Sequence, residues 1–268
     1  MPYLKINSAN IYFEEEGEGK ETLVFGHSML FNLRMFDNQV TYLKNNYRCI
    51  RFDFRGHGKS QSTLTGYDLD SLTEDITKLI KELKCEQCHF VGFSMGGMVA
   101  MRIAIKHPEL IKSLILIDTS SEPEPKNKMM KNKAMVFIAK YIGLKPLANE
   151  VISLFFGPAF LKDPKKSSLR KKWKNYFIAN NRTGIVRAVK GVLFRKGISD
   201  QISEIKHPTK ILVGANDELT DITKAEILHA SIANSSLDII PRAGHMSPVE
   251  EPDIVNSIIK EHLMGFKP

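Results

Sequence analysis

Ser94, His245 and one of two aspartates are the residues of this 268-residue chain whose types and spacing carry the clearest chemistry. Ser94 stands in Val91-Gly92-Phe93-Ser94-Met95-Gly96-Gly97, a G-x-S-x-G pattern between a short apolar run and an apolar-periodic stretch that Pro108 stops. A serine turned sharply out of a buried strand into a helix has a strained backbone, and glycines two before and two after it remove the side chains that would clash. The helix beyond points its free N–H groups and positive dipole end at whatever the serine attacks, which suits an anion forming on an acyl carbon. Serine is a poor nucleophile at neutral pH, so it needs a base within hydrogen-bond reach and a third group to hold that base. His245, in Ala243-Gly244-His245-Met246-Ser247-Pro248, and Asp217, in Gly214-Ala215-Asn216-Asp217-Glu218, each follow a short apolar run by a few residues. Asp118 ends the run Leu114–Ile117 and competes with Asp217 as the acid, and Asp217 has the plainer alternative of capping a helix near Asp221.

These residues need a scaffold that brings three distant loops to one edge. Leu23-Val24-Phe25, Cys49–Phe52, His89–Val91 and Leu114–Ile117 are short apolar runs of the kind buried on both faces of a parallel sheet, and the strand pattern resumes at Ile211–Val213 and Leu237–Ile240. Helical periodicity separates several of them: residues 69–83 put Leu72, Ile76, Leu79 and Leu83 on one face, with Ser71 and Glu74 spaced as a capping box. A last helix follows Pro252, and residues 3–14 alternate as an edge hairpin turning at Ser8-Ala9-Asn10. Strands alternating with helices predict an α/β fold with a mostly parallel central sheet and helices on both faces. In such sheets the crevice lies beyond the strands' carboxyl ends, where Ser94, Asp217 and His245 would all emerge. Between 122 and 200 the alternation stops, and the stretch shows helical periodicity without a clear strand. The expected organisation is a core of residues 1–121 and 201–268 with a helical cap inserted at 122–200.

Composition narrows the function classes. No apolar run approaches 18 residues, which excludes a spanning helix. Met1 to Glu18 is polar and acidic with no apolar h-region, so no signal peptide is expected. The three cysteines form no disulfide framework, Cys85-x-x-Cys88 reads as packing and not as a metal or redox pair, and the expected location is cytoplasmic. The net charge of +8 is lopsided: residues 122–200 hold 18 Lys and Arg against 5 Asp and Glu. That excess either solvates a helical lid or attracts anionic substrates or a membrane surface, and no aromatic-interleaved pattern suggests a nucleic-acid partner.

With these segments in order, the chain resembles the α/β-hydrolase fold family over nearly its whole length except the cap. The matching residues are the elbow Gly92–Gly97, the loop Asp53-Phe54-Arg55-Gly56-His57-Gly58-Lys59-Ser60, the Asp217 turn and the Gly244-His245 turn. The resemblance implies a Ser94/His245/Asp217 triad and an oxyanion hole of two backbone N–H groups. One is that of Met95. Family members commonly carry His-Gly in the loop after the first buried parallel strand, whereas this chain has Gly26-His27-Ser28-Met29, and the pattern carried across assigns the second donor to Met29. His27 is expected to brace that loop, and the Asp53–Ser60 loop to be structural.

The activity so implied is hydrolysis of a carboxylic ester or lactone with a small or medium apolar acyl group, through an acyl-enzyme on Ser94 and without metal or cofactor. A serine nucleophile separates the chain from the dehalogenase and epoxide hydrolase branches, which use aspartate. The tail from Ala243 to Pro252 is similar to those of 3-oxoadipate enol-lactonases and small carboxylesterases. Phe155, Phe156, Trp173 and Met135 are the candidate pocket residues, against ordinary cap packing. Other readings are a lysophospholipid-type hydrolase docking by its basic cap, a carbon–carbon bond hydrolase or perhydrolase with the same triad, and a non-enzymatic ligand-binding protein. A monomer or homodimer is expected.

Overall fold

The structure is a computed structural model that describes residues 2–266. Its strands are β1 (Tyr3–Ile6), β2 (Ala9–Glu16), β3 (Thr22–Gly26), β4 (Arg48–Phe52), β5 (Cys88–Phe93), β6 (Ile111–Ile117), β7 (Thr209–Gly214) and β8 (Ser235–Ile240). They form one sheet in the order β1-β2-β4-β3-β5-β6-β7-β8. The β1–β2 and β2–β4 pairs are antiparallel, and every pair from β4 to β8 is parallel. The edge hairpin turns at Asn7-Ser8, one residue before the expected turn, with Asn7 at φ +50° and Ala9 already in β2. Asparagine tolerates that left-handed backbone better than its neighbours do.

The helices are α1 (Asp37–Leu43), α2 (Leu69–Glu82), α3 (Met95–Lys106), α4 (Met129–Tyr141), α5 (Ala148–Phe155), α6 (Pro158–Lys162), α7 (Ser167–Ala179), α8 (Arg182–Leu193), α9 (Ile222–Ser231), α10 (Ser247–Glu250) and α11 (Pro252–Met264). Side chains alternate across a strand, so each central strand feeds two cores. Leu23, Phe25, Val91, Phe93, Ile115 and Ile117 face the layer containing α1, α11 and the helices that follow β6. Val24, Phe90, Leu114 and Leu116 face α2, α3 and α9. Both faces are dry, which is why these strands read as continuous apolar runs. The start of α2 departs from the expected capping box: Asp68 is its N-cap, accepting from Ser71 N at 2.9 Å and Ser71 Oγ at 2.7 Å. Among the described residues, the stretch from β6 to β7 contains helices and turns but no strand.

Candidate active site

Ser94 occupies the corner between β5 and α3, with φ +50° and ψ −113°. For an L-residue this is a costly backbone region, held only when the surroundings over-determine it. Ser94 N donates to Ile117 O at 2.9 Å, and Thr119 Oγ1 donates to Ser94 O at 2.7 Å, so the end of β6 clamps the corner. Glycine is required beyond it. A Cβ on Gly96 would lie 2.0 Å from Gly26 O, and one on Gly97 would lie 2.7 Å from the Thr119 side chain.

His245 sits between β8 and α10, its ring packed on Phe93 and edge-on to Phe155. Its Nε2 is 3.0 Å from Ser94 Oγ, and its Nδ1 is 2.8 Å from Asp217 Oδ2. These partners set the tautomer. Nδ1–H donates to the carboxylate, leaving Nε2 to accept from the serine hydroxyl. The N–H groups of Leu219 and Thr220 donate to Asp217 Oδ1 at 2.8 and 3.0 Å. Thr220 Oγ1 donates to Oδ2 at 2.9 Å and lies 3.2 Å from His245 Nδ1. Burial pushes the Asp217 carboxyl up, but the electrostatic pull of His245, its hydrogen bond and the two N–H donors outweigh this and hold it below the ordinary aspartate value. The cap of α9 is Asp221, so Asp217 is free of that duty.

Asp118 holds a different joint. Its Oδ1 accepts from Gly214 N at 2.7 Å, and Ser247 Oγ pairs with its Oδ2 at 2.5 Å. It thus ties the root of the Asp217 loop to the turn after His245. Burial, and then the nearby Asp217 charge, push its carboxyl well above the ordinary range. Glu250 holds another. Its Oε1 accepts from Gly244 N at 3.0 Å and Met246 N at 3.2 Å, and its Oε2 accepts from Gly157 N at 2.8 Å. Burial raises it to about 7 in spite of those donors. Sequence reasoning missed Thr220 and Glu250. Pro248 and Pro252 mark the tail as conformationally restricted, but nothing there tells which of Glu250 and Glu251 turns inward.

Met95 is the first residue of α3, where a helical N–H has no intrahelical acceptor. Among the described residues no backbone acceptor takes the Met29 N–H, and both methionines lie at the Ser94 site or next to it. The 26–29 loop is braced from below. Phe54 N donates to His27 Nε2 at 2.9 Å, His27 Nδ1 contacts Ser28 O at 2.6 Å, and Ser28 N reaches Met35 Sδ at 3.4 Å. Burial drives His27 well below the usual histidine range, so it stays neutral. The Asp53–Ser60 loop is closed on itself, with Lys59 N and Leu33 N donating to Asp53 and Ser60 Oγ donating to Asp53 O.

Ser94 and His245 open into a cavity of about 1220 Å³, counted out into its mouth. Its apolar walls are mainly aliphatic and thioether, with Met135, Val136, Leu147, Val151, Ile185 and Val189 from the segment after β6, and two rings, Phe155 and Phe177. Phe155 and Met135 are in the lining as expected, but Phe156 and Trp173 are not. Phe156 stacks on Phe160 at 4.5 Å between centroids, and Trp173 meets Phe31 edge-on at 5.3 Å. Phe156 thus packs the end of α5 on α6, and Trp173 packs α7 on the loop carrying Phe31. Polar groups, among them Glu124, Lys128, Asn132, Arg195 and Lys224, also line the cavity. Arg195 is paired with Glu124 at 2.9 Å and Lys224 with Glu122 at 2.6 Å. Among the described residues, no cluster of His, Cys, Asp and Glu has the makings of a metal site, and no helix is long and apolar enough to cross a membrane.

A sequence profile described as the alpha/beta hydrolase fold matches residues 21–252. A 3-oxoadipate enol-lactonase of Acinetobacter baylyi is 27% identical over 92% of this chain and 90% of its own. The crystal structure of a hydrolase from Pseudomonas aeruginosa superposes with a TM-score of 0.88 at 29% identity, covering 97% of each chain. The enol-lactonase of Burkholderia xenovorans superposes with a TM-score of 0.92 over 98% of this chain and 100% of its own; at 22% identity it speaks for the fold alone.

Proposed function

The chain belongs to the α/β hydrolase fold family, and from that premise we propose that it is a serine hydrolase that cleaves carboxylic esters or lactones of apolar acyl groups. One observation carries the reading: the unbroken hydrogen-bonded line from Ser94 Oγ through His245 to Asp217, 3.0 and 2.8 Å per link, opening into an apolar cavity. The enol-lactonase relative supports lactones beside open-chain esters.

In the proposed reaction Ser94 Oγ attacks the carbonyl carbon while its proton passes to His245 Nε2. The imidazolium that forms is stabilised by Asp217, which stays ionised. The N–H groups of Met95 and Met29 take the oxyanion, a contribution of about 10²–10³ in rate for each donor. His245 then protonates the leaving oxygen, and the acyl group remains on Ser94. Water, deprotonated by the same nitrogen, releases the acid and restores the serine. In a lactone the leaving oxygen stays attached to the acyl chain, so one hydroxy acid departs. No step needs a metal or an organic cofactor. Residues 122–200 serve as a cap over the core of residues 1–121 and 201–268, surrounding the acyl chain with aliphatic side chains and excluding water from the oxyanion.

Turnover of a short p-nitrophenyl ester, with fluorophosphonate labelling, tests this. The wild type is expected to label and turn over, and Ser94→Ala to lose on the order of 10⁶ in kcat and all labelling. Undiminished turnover in Ser94→Ala, or a folded wild type that neither labels nor turns over any ester or lactone, overturns the reading.

A further inference from the structure

The helix α4 has two apolar faces. Asn132, Met135, Val136 and Ala139, at helical spacing, line the cavity that holds Ser94. On the opposite side Met130, Ala134, Phe137 and Tyr141 repeat at the same spacing. Met130 is 83% exposed, Phe137 60%, Tyr141 60%, and Ile142, just past the helix, 65%. The Phe137 and Tyr141 rings lie 4.7 Å apart. Phe194, 58% exposed at the end of α8, joins them under Lys133, whose Nζ is 5.9 Å from its ring. Single exposed apolar residues are ordinary, but a contiguous stripe where a surface helix should be polar marks an interaction site.

The charge around the stripe says what covers it. Residues 126–145 contain six lysines and no Asp or Glu. Lys140 flanks the stripe with its Nζ 2.9 Å from Tyr141 Oη, and Lys133 lies on it. Lys131, on the far flank, is paired with Glu150 at 2.7 Å, a contact between exposed groups. A second copy of this chain docked face to face would set lysine against lysine, because a two-fold interface repeats the same patch on both sides. A surface of anionic headgroups over acyl chains matches both the lysines and the apolar stripe.

We propose that the outer face of α4, with Phe194 beside it, docks on an anionic lipid bilayer. Docking seats the phenyl, phenol and thioether side chains at the headgroup–acyl boundary with the lysines among the phosphates. It places the membrane one helix diameter from the aliphatic cavity, so a lipid-borne acyl chain has a short apolar path around α4.

Co-sedimentation with vesicles tests this, using Ser94→Ala protein so that binding is read apart from any turnover. It is expected to pellet with vesicles of phosphatidylcholine containing about one third phosphatidylglycerol, not with phosphatidylcholine alone, and to be released by salt as the Debye length shrinks. Adding Phe137→Ser and Tyr141→Ser should weaken binding at least about tenfold, given the apolar area removed from the bilayer. Adding Lys133→Gln and Lys140→Gln should weaken it about fivefold per lysine. On the Ser94 background the same pairs should leave turnover of a water-soluble short ester unchanged, which shows that the fold survives. Failure to bind anionic vesicles, or equal binding by the substituted proteins, overturns the proposal. So does a dimer in sedimentation equilibrium that the Phe137/Tyr141 pair abolishes without any vesicle binding, since the face then belongs to a second copy. If docking holds while every ester tested is inert, the proposed hydrolysis fails and the docking stands.

Discussion

Strands β6 and β7 lie side by side, and each delivers a buried aspartate to the same edge of the sheet, yet the two carboxyls are pushed in opposite directions. Asp118 is completely shielded from solvent, and its partners are one backbone N–H and the Ser247 hydroxyl. Burial, then the Asp217 charge, moves it well above the ordinary value of 3.8. Asp217 is nearly as buried but faces His245 and accepts from Leu219 N, Thr220 N and Thr220 Oγ1, which together hold it below that value. Burial does not distinguish them. What distinguishes them is an imidazole partner with a full set of donors, which favours the ionised form at Asp217 and not at Asp118.

Substitutions that equalise the two environments test this contrast. The largest effect is expected for Asp217→Asn, which offers His245 Nδ1 an amide and removes the selection of its tautomer. Turnover of a p-nitrophenyl ester should fall about 10⁴-fold in kcat, with far-ultraviolet circular dichroism unchanged. An effect below tenfold would place the acid elsewhere.

Glu250→Gln comes next. Its amide group must face either Gly157 N or the Gly244 and Met246 pair, donor against donor, at a cost of about 1–3 kcal/mol in urea unfolding. Because Glu250 is raised from 4.5 to about 7 in the folded protein, its protonated form favours folding. That contribution is complete below pH 4.5 and is lost as pH rises through about 7. The variant should lack this pH-dependent decline in stability, and an identical decline in both proteins would show that Glu250 is not its source.

The smallest effect is expected for Asp118→Asn. An amide keeps an acceptor for Gly214 N and removes a carboxyl that the site already favours as neutral, so kcat should stay within about tenfold of the wild type. Its stability signature has the sign opposite to that of Asp217. The Asp118 contribution is complete below the ordinary value of 3.8 and lost as pH rises through its raised folded value. The Asp217 contribution is present above 3.8 and lost as pH falls through its lowered one. Denaturation midpoints across pH should therefore flatten at the upper end for Asp118→Asn and at the acid end for Asp217→Asn.

Much of the scaffold was readable because strands buried on both faces are continuous apolar runs and a serine corner needs its glycines. Ser94 and Asp217 stand out as candidates because each follows such a run, and His245 because it sits in a Gly-flanked loop after the partly exposed edge strand β8. The choice between Asp118 and Asp217 was not legible from periodicity, since both follow a strand and the difference lies in donors that converge in space. Thr220 and Glu250 escaped for the same reason: Thr220 acts through its hydroxyl and its N–H, and Glu250 by accepting from backbone N–H groups, with partners that meet only in space. Phe156 and Trp173 show another limit, since an apolar pattern tells which side of a helix is covered but not whether a cavity or another ring covers it. The start of α4 at Met129 was no more legible, because apolar side chains on both of its faces blur the helical period.

The Glu250 carboxyl spans Gly157 on one side and Gly244 with Met246 on the other, and Met246 N also donates to Phe155 O at 2.9 Å. The junction of α5 and α6 and the loop carrying the imidazole are thereby welded into a single piece. Across the cavity the beginning of α4 is latched to the acid loop through Lys128, whose Nζ donates to Glu218 O. Of the two walls, the one built on α5 thus shares a joint with the histidine loop, and the one built on α4 shares one with the Asp217 loop.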